Sequence, residues 1–337
     1  MHIPDGFLDA RTIGLSFGLA AIGVTVAASE VRAEEHPKKV PLMGVAGAFI
    51  FAAQMINFPI IGGTSGHLVG GVLAATLLGP AAAVIVMTAI LTVQCFLFAD
   101  GGVTALGANI FNMAIISPIC GYAFYRFVRR LVPGDIGRIA GATFAAWAST
   151  VLASLACAGQ LAISGAGDPG IILPAMTGIH MLTGIGEGIM TAMILESIRH
   201  LRPGLFEEIT SSDTSFPASL SPIHGFTDGW SGMIAFGLIV SLGLAVFVSP
   251  FACSWPDGLE HVARVVGFDV KAVPGAFFHA PAPDYRVPGV PWAFAATALA
   301  GSFGTIVAFL LSFLWARLLI AGGRRPPVVS AGSTSVS

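Results

Sequence analysis

The chain is 337 residues long, 55% of them hydrophobic and only 10% charged, with a formal net charge of −2. A soluble domain carries about 25% charged residues, so the composition excludes an ordinary soluble globule, and no basic patch suits nucleic acid as a partner. The 42 glycines fit helices that pack closely in lipid; the class is an all-α, polytopic membrane protein embedded in a lipid bilayer.

The first apolar run has neither a basic lead-in nor a small-residue cleavage site before it, so it is expected to be a permanent span behind a mature Met1. Apolar runs near 12–31, 41–58, 66–79, 81–99, 105–131, 137–163, 172–199, 230–250 and 292–320 predict nine spans, since about 20 residues cross the hydrocarbon. The stretch 66–79 is short, and Gly79-Pro80 should end its helix. Placing the N-terminus outside puts Arg32, Lys38, Lys39, Arg126, Arg129, Arg130, Arg138, Arg199, Arg202, Arg317, Arg324 and Arg325 inside. Only Arg11, Arg264, Lys271 and Arg286 of the 16 basic residues then lie outside, as the positive-inside rule requires.

These runs divide the chain into a seven-helix body over 1–202, a polar cytoplasmic linker over 203–229, a two-helix module over 230–325 and a disordered tail over 326–337. The module carries an outer loop, 251–291. In it Asp257 is placed to cap a short amphipathic helix with Leu259, Val262, Ala263 and Val266 on one face. Four cysteines, Cys95, Cys120, Cys157 and Cys253, form no C-x-x-C motif and no disulfide framework.

A histidine in second position has a particular chemistry. The terminal amine and the amide nitrogen of His2 close a five-membered chelate ring on a metal. That amide and the nearer imidazole nitrogen close a six-membered one. Three nitrogens are thereby held in one plane, and the amide must ionise, which Ni(II) and Cu(II) promote best. His67, behind the glycine-rich loop "GGTSG", falls on the same outer side as Met1 and can fill the fourth corner. Four planar nitrogens suit Ni(II); Co(II) is compatible with a less compelled geometry, and tetrahedral Zn(II) is resisted. The alternative is a chance second-position histidine and an ordinary loop histidine.

Four stretches, "MHIPDGFL", "GGTSGHLVGG", "FADGGVTALGANIFNM" and "GIHMLTGIGEG", resemble the CbiM/NikM family, the nickel/cobalt substrate-binding (S) components of energy-coupling factor transporters. "SWPDGLE" and "APAPDYRVPG" resemble the PDGLE-type accessory membrane module that accompanies them, here fused. The resemblance implies a seven-helix S component plus a two-helix module in the plasma membrane. It implies Met1, His2 and His67 as metal ligands. It also implies nickel or cobalt as transported substrate with no organic cofactor, and a separate coupling (T) subunit and ABC-type ATPase subunits as partners. No G-x-x-x-x-G-K-[ST] loop occurs, so ATP hydrolysis by a P-loop belongs to a partner and the chain is expected not to be an enzyme. A self-sufficient, ion-coupled metal permease is the competing reading.

Glu187 is the acidic residue deepest in a span, and His180 shares its helix face seven residues earlier. Such buried ionisable groups either support the metal site or make an interhelical hydrogen bond, and Asn109, Asn112 and Gln94 pose the same choice. Asp100 either attracts cations or organises a glycine turn. Gly44, Ala48 and Ala52 recur every four residues, a small-residue stripe that either docks the coupling subunit or packs within the bundle. His261 and His279, in the outer loop, either hand metal inward or are plain solvated histidines.

Overall fold

The computed structural model describes residues 1–34, 39–201, 230–273, 275 and 277–321. The linker assigned to 203–229 and the tail assigned to 326–337 lie outside the described residues. Long helices dominate: α1 (Ala10–Glu34), α2 (Lys39–Gln54), α3 (Gly71–Leu78) and α4 (Pro80–Phe98) are followed by α5 (Leu106–Asn109), which runs through a π-helical stretch (Ile110–Ile116) into α6 (Ser117–Leu131). Next come α7 (Gly134–Ile163), α8 (Pro169–Leu201), α9 (Trp230–Gly243), the short α10 (Gly258–Val266) and α11 (Ala293–Ala321). A two-stranded antiparallel hairpin, β1 (Phe58–Ile60) and β2 (Thr64–Gly66), turns through Gly62 and Gly63 at φ 102° and 80°.

Seven of these segments are long and apolar enough to cross a membrane. The α4 helix is the buried axis, with Ile85, Met87, Ile90 and Leu91 almost wholly enclosed. The exposed large side chains are those of a lipid-facing rim, such as Leu15, Ile22, Phe247, Phe303 and Leu318. The chain is therefore a multi-pass membrane protein.

The first correction concerns two of the nine predicted spans, since the run 41–58 forms only the 16-residue α2, which is not among the seven. The run 66–79 forms only the eight-residue α3, about 12 Å long at 1.5 Å per residue. Residues 68–70, without helical structure, supply the rest of the path. Non-helical backbone within such a bundle must have its polar groups satisfied by protein. Glu187 does this: its carboxylate accepts from the amides of Val69 (2.5 Å) and Gly70 (2.9 Å). Gln54 Nε2 donates to the Val69 carbonyl at 2.7 Å. Hydropathy detects an apolar run but not a helix broken inside it. Gly79 ends α3 at φ 85°, and Pro80 opens α4, as the Gly-Pro pair predicts.

The second correction concerns the small-residue stripe. Gly44, Ala48 and Ala52 are buried, and α2 packs along α11 of the same chain. A Cβ at Gly44 would lie 2.9 Å from the Phe309 ring, and one at Gly47 2.3 Å from Ser312 Oγ. On α11, a Cβ at Gly304 would meet the Phe51 ring at 2.3 Å. The stripe is a seam between body and module, closed by the chain's own last helix, and is not free for a coupling subunit.

Candidate metal centre

The first nine residues fold into the bundle. Met1 is 4% exposed, Ile3 is fully buried, and His2, Asp5 and Phe7 are buried with them. Asn109 clamps Ile3 from both sides, its Oδ1 accepting from the Ile3 amide at 2.8 Å and its Nδ2 donating to the Ile3 carbonyl at 3.1 Å. The Gly102 amide donates to the same carbonyl at 2.8 Å. Asp5 Oδ1 accepts from the Thr104 amide and hydroxyl at 2.8 and 2.6 Å. The glycines of "ADGG" explain how the loop comes so close: a Cβ at Gly102 would sit 2.2 Å from the Asp5 amide nitrogen.

This fold-back brings His2 against His67, their rings stacked at 22° with centroids 5.5 Å apart. The Nδ1–H of His67 donates to its neighbour's carbonyl, that of Leu68, at 2.9 Å, which leaves the lone pair on Nε2. Met1, His67 and His180 line one small chamber of about 20 Å³, room for a single water-sized particle or ion. Among the described residues no three His, Cys, Asp or Glu side chains cluster as a metal site. The donors gathered here are of another kind: a terminal amine, a backbone amide and imidazoles.

His2 is held at both ring nitrogens. Nδ1 lies 3.1 Å from Asp100 Oδ1 and Nε2 lies 3.1 Å from Gln94 Oε1. Asp100 thus does more than shape a turn, and its other oxygen accepts from the Tyr285 hydroxyl at 2.5 Å. Tyr285 stacks on Phe98, with centroids 4.6 Å apart, and comes from the outer loop of the two-helix module.

The module also reaches the terminal amine, a contact that spacing along the chain could not signal. Asp257 caps α10 as predicted, its Oδ1 accepting from the Glu260 amide at 2.8 Å. Its Oδ2 forms an ion pair with the Met1 amine at 2.7 Å. The preceding segment adds to the hairpin: the Ser65 amide donates to the Pro256 carbonyl at 2.8 Å, and Ser65 Oγ donates to the Trp255 carbonyl at 2.8 Å. Gly258 then closes over His180, where a Cβ would be 2.9 Å from Cε1. A wider cavity of about 660 Å³ lies under this loop, with His2, His67, Asp100 and Asp257 in its wall.

Electrostatics follow from burial and these pairs. Burial opposes charge on the Met1 amine, but Asp257 outweighs it and raises the amine above its ordinary value. Burial likewise opposes ionisation of Asp257, and the amine outweighs it, holding the carboxyl well below the usual range. His67 is pushed down to about 4 by burial, then by the charges of the amine and His2. His2 is lowered by burial against the pull of Asp100. Both rings are thus biased towards the neutral form.

The other predicted residues fall into place variously. Glu187 touches neither ligand ring; it holds the backbone just beyond His67. His180 Nδ1–H donates to the Met176 carbonyl at 2.8 Å, and the residue lines the chamber itself. Asn112 pairs with Gln160 at 2.8 and 3.1 Å, away from the chamber. His261 and His279 line neither the chamber nor the wider cavity.

A multi-pass bundle that buries its own N-terminus beside two imidazoles, under a loop from a second module, defines a membrane transport protein rather than an enzyme. Residues 2–205 match the family described as "Cobalt uptake substrate-specific transmembrane region", and residues 231–321 match the PDGLE domain. A protein of Archaeoglobus fulgidus bearing the name fused nickel transport protein is 35% identical over 94% of this chain and 98% of its own length. A fused nickel transport protein of Rhodobacter capsulatus is 30% identical over 89% of this chain and 94% of its own. A crystal structure titled as a truncated transition metal transporter aligns with a TM-score of 0.55 at 34% identity, covering 60% of this chain and 99% of that one. The chain belongs to the CbiM family of metal-uptake membrane proteins, with a PDGLE domain fused behind the family region.

Proposed function

We propose that the chain captures Ni(II) or Co(II) at the outer face of the plasma membrane as the substrate-binding S component of an energy-coupling factor transporter. The first module, 1–202, holds the ion through the Met1 amine, the amide and ring of His2, and His67. The observation that carries this reading is that Met1 and His67 line one chamber of about 20 Å³ while the ring of His2 stacks on that of His67, with centroids 5.5 Å apart. Names of the relatives point to nickel in the fused proteins and cobalt in the family description, and the planar donor set leans to nickel. The outward orientation is supported by helix polarity. The chamber lies by the start of α1 and the end of α4, while Arg129, Arg130, Arg138 and Arg199 cluster where α6 ends, α7 begins and α8 ends. Energy comes from a separate coupling subunit and ABC-type ATPases.

Nickel uptake by vesicles tests the division of labour. With this chain alone, uptake is expected to be absent, and it should appear when the coupling and ATPase subunits are added with ATP. Uptake by this chain alone, abolished by an uncoupler, would instead establish an ion-coupled permease.

A further inference from the structure

Three polar contacts through two glutamines run from the broken segment beyond His67 to the ring of His2. Gln54 Nε2 donates to the Val69 carbonyl at 2.7 Å, Gln94 Nε2 donates to Gln54 Oε1 at 2.8 Å, and Gln94 Oε1 faces His2 Nε2 at 3.1 Å. Gln54 is 4% exposed and Gln94 fully buried, so solvent does not compete for their bonds. A glutamine amide can be turned end for end, and its orientation alone proves nothing. Here the direction is imposed from outside, because the Val69 carbonyl can only accept. Gln54 must therefore present its NH2 to Val69 and its oxygen to Gln94. Gln94 must in turn present its NH2 to Gln54 and its oxygen to His2. An oxygen opposite Nε2 accepts a hydrogen there, and in the empty site Asp100 Oδ1, 3.1 Å from Nδ1, competes for the same proton.

We propose that this relay makes Gln54 and Gln94 positioning residues that hold the proton of His2 at Nε2 when a metal displaces Asp100 from Nδ1, so that Nδ1 is the nitrogen that binds. Nδ1 is the one nitrogen of that ring able to close the six-membered chelate with the His2 amide. The other tautomer would put a hydrogen where the chelate needs a lone pair. Outer partners of this kind orient a ligating imidazole and raise its basicity. The relay also ties the ring of His2 to the peptide that Glu187 holds two residues beyond His67, so both imidazoles are set from one point. This inference rests on the capture function proposed above.

Nickel chloride titration of the full chain, with Gln94→Met and Gln94→Glu beside the unmodified protein, tests the relay. Loss of the acceptor in Gln94→Met should weaken nickel binding by about 10–100-fold. It should also alter the Ni(II) ligand-field absorption, which a change of packing alone would leave in place. Gln94→Glu retains an oxygen facing Nε2 but loses the NH2 that meets Gln54, so it should lose less affinity than Gln94→Met and keep the spectrum. Unchanged affinity and spectrum in Gln94→Met, or equal loss in Gln94→Glu, would overturn the relay. Should Gln94→Met fail to fold, 15N resonances of His2 in the unmodified, nickel-loaded chain decide: a ring bound through Nδ1 with its hydrogen on Nε2 is expected, and a ring bound through Nε2 would overturn the proposal. Failure of the unmodified chain to bind nickel at all would strike the capture function, whereas nickel bound through His2 Nε2 would strike the relay alone.

Discussion

Moving the terminal amine away from its chamber is the sharpest perturbation of the site. A Gly-Ser pair left ahead of Met1 by a cleaved leader turns the Met1 amine into a peptide nitrogen. That nitrogen can neither ligate as an amine nor carry the charge that Asp257 meets at 2.7 Å. Breaking a buried ion pair by removing one partner costs about 3–5 kcal/mol. The lower end applies here, since the Asp257 side chain is 19% exposed. The added atoms do not fit beside Met1, which is 4% exposed with a chamber of about 20 Å³, so they must shift the terminus towards the wider cavity under the outer loop. The extended chain should therefore lose about 3 kcal/mol of stability and bind nickel at least about 100-fold more weakly. Competition against a coloured chelator reads the affinity, and thermal unfolding in detergent reads the stability. Nickel binding within tenfold of the unmodified chain would refute the chelate.

Inserting one alanine to give Met-Ala-His should have a different result. A third-position histidine completes four nitrogens unaided, so binding should persist and become indifferent to His67→Ala, whereas in the unmodified chain His67→Ala should abolish high-affinity binding. Binding should also strengthen as pH rises. The amine is raised above its ordinary value and must shed its proton, as must the His2 amide, whereas His67, at about 4, is already neutral. Two protons are then released per ion, so the logarithm of affinity should climb about two units per pH unit between about pH 6 and 7.5; a slope of one would mean that the amide stays protonated. Glu187→Gln should cost about 1–3 kcal/mol by leaving an amide of Val69 or Gly70 without its acceptor. Faster hydrogen exchange at those two residues should report it, and unaltered exchange would remove Glu187 from that role.

The parts of this molecule visible in the sequence are those set by local pattern. Long apolar runs give α1, α4, α7, α8 and α11, the Gly79-Pro80 pair ends one helix and opens the next, and Asp257 before an amphipathic stretch caps α10. The nearness of His2 and His67 was legible because basic residues sort the loops by side, independently of the histidines. What escaped is long-range. No spacing signals that Asp257 pairs with an amine 256 positions away, or that Tyr285 meets Asp100 185 positions away. Gln54 carries no motif; it matters because the chain leaves helical geometry at Val69, a break that hydropathy averages over. The stripe at Gly44, Ala48 and Ala52 did announce close helix packing, but a stripe cannot name its partner, and here the partner is α11.

A crystal structure of the nickel-loaded chain, with anomalous scattering recorded at the nickel edge, addresses the ligand set directly. One peak is expected within bonding distance of the Met1 amine, the His2 amide nitrogen and Nδ1, and a His67 nitrogen, all four in one plane. A peak elsewhere, at His261 or His279 for example, or a loaded chain whose first two residues stand clear of the ion, would contradict the account.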